Sequence, residues 1–176
     1  MLGGYVGPLQ PVHVVQGSTF SAFTAFQDIS PADKPTLPGK SYPVGTMFEL
    51  EAFGVFSTTG TPTLSLGFWI GSAATPVGQS SAITTGTGAA LWQWHLKALF
   101  KILTLGASGT ASVQGLLDLG TSLTAMSTVP VPITDALRTV TFDTTTNKDI
   151  GVGAAYSVSS ASYSVQTRDL RVLQVN

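Results

Sequence analysis

Few residues in this 176-residue chain have the type and spacing to do chemistry. His13 and His95 lie far apart, and neither stands in an H-x-H or H-E-x-x-H spacing. Zinc sites draw on three or four protein ligands, so no metal is expected. Cysteine is absent, which excludes disulfides, thiolate nucleophiles and cysteine-ligated zinc. Glu49 and Glu51, two apart, would point the same way from one strand. Paired-carboxylate glycoside hydrolysis needs two carboxyl groups facing each other across a substrate, so this pair does not read as such a site. There is no G-x-S-x-G elbow, and GASG at 106–109 lies between two strand-like runs rather than between a strand and a helix. It lacks the context of a nucleophile elbow or a phosphate loop. No catalytic residue and no cofactor are expected, and the chain reads as non-enzymatic.

Binding residues are easier to nominate. His95 shares one strand face with Gln93, Lys97 and Lys101, a row that could meet an acidic partner or simply be a solvated outer face. Trp69, Trp92 and Trp94 could stack on sugar rings, as in carbohydrate-binding β-sandwiches, although large rings on alternating strands are more often core. Phe20, Phe23 and Phe26 are too apolar for a solvated tail; they pack on the chain's own domain or dock on a neighbouring subunit.

The elements that must position these groups follow from period-two patterning. From Thr46 to Phe56, residues Phe48, Leu50, Ala52, Gly54 and Phe56 share one face while Glu49, Glu51 and Val55 share the other, the pattern of a half-buried strand. Leu64, Leu66, Phe68 and Ile70 repeat the alternation beyond STTGTPT, and the two runs are expected to pair as a hairpin with a long connection. LWQWHLKALFKIL at 91–103 also fits a helix, but strict alternation from Trp92 to Ile102 favours a strand. LGASGTA then turns into a returning strand carrying Ala111, Val113, Gly115, Leu117 and Leu119. Leu137 to Asp143, Ile150 to Val158 and Tyr163 to Val175 are further candidates, with TTTNKD turning between the first two.

Residues 1 to 45 differ. Pro8, Pro11, Pro31, Pro35, Pro38 and Pro43 each fix φ and remove a donor, which disfavours a long helix. This part reads as an extended proline-rich arm with one strand-like piece, Val12 to Val15, ahead of a domain at 46–176. With that piece the strands number about eight, so the expected fold is all-β: a β-sandwich, jelly-roll-like.

Charged residues are 10% of the chain against roughly a quarter in ordinary soluble domains. Serine and threonine supply roughly a quarter instead. High apolar content and low net charge argue against a disordered chain. A net charge of −1 with no basic block argues against nucleic-acid binding. MLGGYVGPLQPVHVV lacks a basic start followed by an apolar block, and no apolar run approaches the length of a bilayer span; neither a secretion signal nor a membrane anchor is expected.

The stretch TLPGKSYPVGTMFELEAFGVFSTTGTPTLSLGFWIG, followed by the tryptophan-bearing strand and GASGTASVQG, resembles structural proteins of tailed bacteriophages, especially minor capsid, decoration and head-fibre proteins. The resemblance spans roughly residues 36 to 119. It implies a non-enzymatic, jelly-roll-like domain, commonly a homotrimer, attached to a shell or fibre. On that basis the expected role is a capsid decoration or minor capsid protein, made in the host bacterial cytoplasm and carried on the capsid exterior of the virion. Its partner would be the major capsid protein, with Phe20, Phe23 and Phe26 as anchors. The alternative is a receptor- or glycan-binding module of a head fibre or tail tip, which would need exposed tryptophans.

Overall fold

A computed structural model describes residues 16–132 and 138–175; His13 and the Val12 to Val15 piece lie outside the described residues. Thirteen strands and no helix occur among the described residues: β1 (Thr19–Ser21), β2 (Gln27–Asp28), β3 (Thr36–Leu37), β4 (Met47–Ser57), β5 (Thr63–Ile70), β6 (Pro76–Gln79), β7 (Ile83–Thr84), β8 (Trp92–Thr104), β9 (Gly109–Gly120), β10 (Met126–Val131), β11 (Thr139–Phe142), β12 (Lys148–Tyr156) and β13 (Ser164–Gln174). They form two antiparallel sheets packed as a β-sandwich. The larger has seven strands in the order β1-β13-β4-β8-β9-β10, with β11 beside β10 along the same edge of β9. The smaller has six, ordered β2-β12-β5-β6, with β3 also on β12 and β7 also on β5. The count exceeds the eight read from the sequence because β1, β2, β3, β6 and β7 are two to four residues long, too short to show a period, and because β10, with a proline near its end, does not read as a strand.

The 91–103 segment is a strand, as its alternation requires. Trp94, Leu96, Ala98, Phe100 and Ile102 face the core while Gln93, Lys97 and Lys101 are exposed. Phe100 of β8 stacks on Phe48 of the neighbouring β4 with centroids 4.9 Å apart, and across the sandwich it reaches Phe68 of β5 at 6.3 Å. These contacts join the two sheets through the apolar faces that the alternation marks out.

The expected hairpin between the Phe48 and Leu64 runs does not form. β4 pairs with β13 and β8, whereas β5 pairs with β12, β6 and β7, so STTGTPT carries the chain from one sheet to the other. Alternation specifies which face of a strand is buried and not which strand lies beside it. The crossing is pinned from within: Thr58 is 2% exposed, its N–H bonds Ala89 O at 2.9 Å, and Thr85 donates both N–H and hydroxyl to Pro62 O. TTTNKD crosses in the same way, between β11 on the large sheet and β12 on the small one.

Residues 16–45 are not an arm. β1 pairs with β13, and β2 and β3 pair with β12. Phe23 and Ile29 lie in the core, and Ile150 N–H bonds Pro35 O at 2.8 Å. Pro35 and Pro38 flank the short β3 rather than exclude it, consistent with the tolerance of proline at sheet edges.

Candidate functional site

The two outer faces of the sandwich, those turned away from the core, differ in what they present. On the small sheet, β12 offers Gly151 and Gly153 outward, and rings fill the space that side chains would take. A Cβ at Gly151 would overlap the Trp69 ring and Ser30 Oγ, and one at Gly153 would overlap the Phe26 ring. Trp69 is 4% exposed, donates Nε1–H to Val152 O at 3.3 Å and carries Lys34 Nζ above its ring at 5.9 Å. Ser30 locks the overlying segment down, its hydroxyl accepting from Val152 N–H at 2.8 Å and donating to Val152 O at 3.2 Å. This face is closed by the chain's own residues 26–35.

The same seating recurs elsewhere. Trp94 is fully buried against Gly54, where a Cβ would stand 2.6 Å from its ring, and the half-buried Trp92 lies against Gly86. Trp69 and Trp94 are therefore buried rings on glycine seats, while Trp92 keeps part of its surface open. Phe23 is core, 5.4 Å from Tyr156 between centroids; Phe20 packs half-buried against that core, and Phe26 lies on Gly153. All three expected partner anchors are used by their own domain, which removes Phe23 above all from the partner contacts.

The outer face of the large sheet is open. Register sets Arg171 of β13, Glu51 of β4, Lys97 of β8 and Leu116 of β9 side by side in one row. Asp169, Phe53, His95 and Asp118 occupy the next row. His95 Nε2 stands 2.9 Å from Glu51 Oε1, Arg171 binds the other carboxylate oxygen, and Lys97 Nζ is 3.2 Å from Glu49. Burial pushes the Glu51 carboxyl up, but the hydrogen bonds and charges of Arg171 and His95 outweigh it, and the group titrates below the ordinary glutamate value. The expected cationic row is thus largely neutralised by β4. Among the described residues Lys101 alone of His95, Lys97 and Lys101 has no carboxylate partner. Nothing in residues 91–103 could show this, because the glutamates arrive through strand register.

Between these charges stand exposed apolar groups: Phe53 at 46%, Leu116 at 54% and Met126 at 44%. Two shallow hollows lie here. One of about 500 Å³ is lined by Phe53, Gln93, His95, Asp118 and Met126; the other, of about 430 Å³, by Leu99, Leu116 and Pro130 with Lys97 and Arg138. At one end of the sandwich a third hollow of about 460 Å³ has Leu91, Trp92, Leu123 and Met126 in its wall and no charged residue. Leu123 is 87% and Leu91 63% exposed. Leu91 has φ of 54°, a left-handed conformation uncommon for a residue other than glycine, and its N–H is held by Ser57 Oγ at 3.0 Å. Among the described residues no three His, Asp or Glu side chains meet in an arrangement able to hold a metal ion, and no helix is long and apolar enough to cross a membrane.

Compared with protein-family models, curated proteins and solved structures, the chain gives no significant match.

Proposed function

We propose that the protein is a non-enzymatic structural component of a tailed-phage virion, one that decorates or stabilises the shell by binding between major capsid subunits on the capsid exterior. The observation that carries this reading is the chargeless end of the sandwich, where Leu91 and Leu123 project around the hollow beside Trp92 and Met126. Association is strongest where apolar anchors are buried with few desolvated ions, and this end offers two large anchors and no ion. Holding a leucine in a left-handed conformation while exposing it costs stability, and such strain persists where the surroundings impose it. The phage resemblance of residues 36 to 119 supplies the kind of partner. Of the tryptophans the glycan-binding alternative would need exposed, Trp69 and Trp94 are buried and Trp92 is half-buried.

Immuno-electron microscopy of particles from a cell expressing the chain in its native setting tests the reading. Label on the shell exterior is expected, and Leu123→Asp is expected to move the protein from particles to the free fraction. Particles without label, with the wild-type protein wholly free, would overturn it.

A further inference from the structure

We infer that the open outer face of the large sheet is covered by a second copy of the same chain, related by a two-fold axis lying in that face. The inference does not depend on which larger structure the protein joins.

The face is built to accept itself. Its two hollows lie side by side along the strands, one around Phe53 and Asp118, the other around Leu116 and Lys97. Each has an exposed apolar group at its wall, Phe53 or Met126 in the first and Leu116 in the second. An axis midway between them turns the first hollow of one copy over the second hollow of the other, and does so twice. That is the isologous arrangement in which a patch is its own complement.

Charge follows the same division. The row through the first hollow carries Asp169 and Asp118, with His95 as its one titratable nitrogen; the adjoining rows carry Arg171, Lys97 and Lys101, with Glu51 and Glu49 among them. The same axis brings the Asp118 row of each copy toward the Lys97 row of the other. Counted over the face, with Arg138 at the second hollow, four cations meet four carboxylates, so two copies are not driven apart by net charge.

Area is sufficient. Five strands about 4.8 Å apart, each presenting about nine residues at about 3.4 Å, give about 700 Å² of sheet per copy. A stable interface takes about 800 Å² of accessible surface from each partner, and side chains raise the accessible area above the flat figure. The outer face of the small sheet cannot serve, because residues 26–35 already cover it.

Sedimentation velocity of the full chain over a concentration series tests this. Wild type is expected to reach a dimer at micromolar concentration. Lys97→Glu alone and Asp118→Lys alone are each expected to weaken the dimer at least tenfold, because each sets like charges in neighbouring columns of the facing rows twice. Mixing the two variants in equal amounts is expected to restore a dimer, since both contacts are then opposite in sign. Near-ultraviolet circular dichroism and the melting temperature of each variant check that the sandwich is intact. A monomeric or trimeric wild type would overturn the inference, as would single variants that dimerise normally or a mixture that stays monomeric while folded. Loss of particle binding by Leu123→Asp with the dimer intact would separate this interface from the chargeless end.

Discussion

The outer face of the small sheet and that of the large sheet belong to one sandwich, yet one is sealed and the other open. On the small sheet the outward positions of β12 are Gly151 and Gly153, and the missing side chains let Trp69 and Phe26 lie flat. On the large sheet the outward positions are long: Glu49, Glu51, Phe53, His95, Lys97, Leu116 and Arg171. Small residues admit the chain's own rings. Long residues hold each other in pairs and keep the surface for something else. Burial on both faces follows for β5, where only Thr63 is not buried, whereas β4 and β8 keep strict alternation.

Breaking the sealed face should have the largest effect. Gly151→Val drives a side chain into Trp69 and Ser30 and is expected to cost about 3 kcal/mol or more, read by urea unfolding. Trp69→Ala is expected to cost about 3 kcal/mol through the cavity it leaves. On the open face the same measurement should barely respond. Phe53→Ser is expected to change stability by less than about 1 kcal/mol while abolishing self-association, because its ring is half in solvent. If Phe53→Ser proved as damaging as Trp69→Ala, the contrast between the faces would fail.

Acid sharpens the comparison. Asp143 takes the Thr145 hydroxyl at 2.6 Å, the Thr145 N–H at 2.8 Å and the Thr146 hydroxyl at 2.9 Å in the crossing that leads to β12. These bonds hold its carboxyl down at about 2. A carboxylate lowered in the fold contributes stability that is complete above its ordinary value and is lost as pH falls through the folded value. Between pH 3.8 and about 2 the wild type should therefore lose more stability than Asp143→Asn, as followed by melting temperature. Glu51 has the same sign, but Arg171 is 50% and His95 39% exposed, so screening discounts the network. Glu51→Gln is expected to cost less than about 1 kcal/mol at neutral pH and to flatten the acid decline below pH 4.5.

The fold was legible where period two runs long. β4, β5, β8, β9, β12 and β13 could be read from alternation or apolar runs, and with them the sandwich class. Partner choice was not, because Phe48 and Leu64 alternate identically whether their strands pair or cross between sheets. The short strands of residues 16–45 carry two or three residues each and owe their place to β12 and β13, which are far away in sequence. The candidate surfaces were half legible. His95 and Lys97 could be put on one outer face, but their neutralisation by Glu51 and Glu49 depends on the β4–β8 register. Phe53, between Glu51 and Val55 on the outward face of β4, was placed on no face by the sequence reading, although its position in the alternation marks it as outward. Leu91 stands just ahead of the alternating run that begins at Trp92, and Leu123 lies in a polar connection with no period.

Hydroxyl-radical footprinting of the full chain at rising concentration tests the contrast most directly. Phe53, Leu116 and Met126 should label readily in dilute protein and become protected as concentration rises, while Trp69 and Trp94 stay unlabelled throughout. Labelling of the large-sheet face that does not change with concentration, or strong labelling of Trp69, would contradict the account.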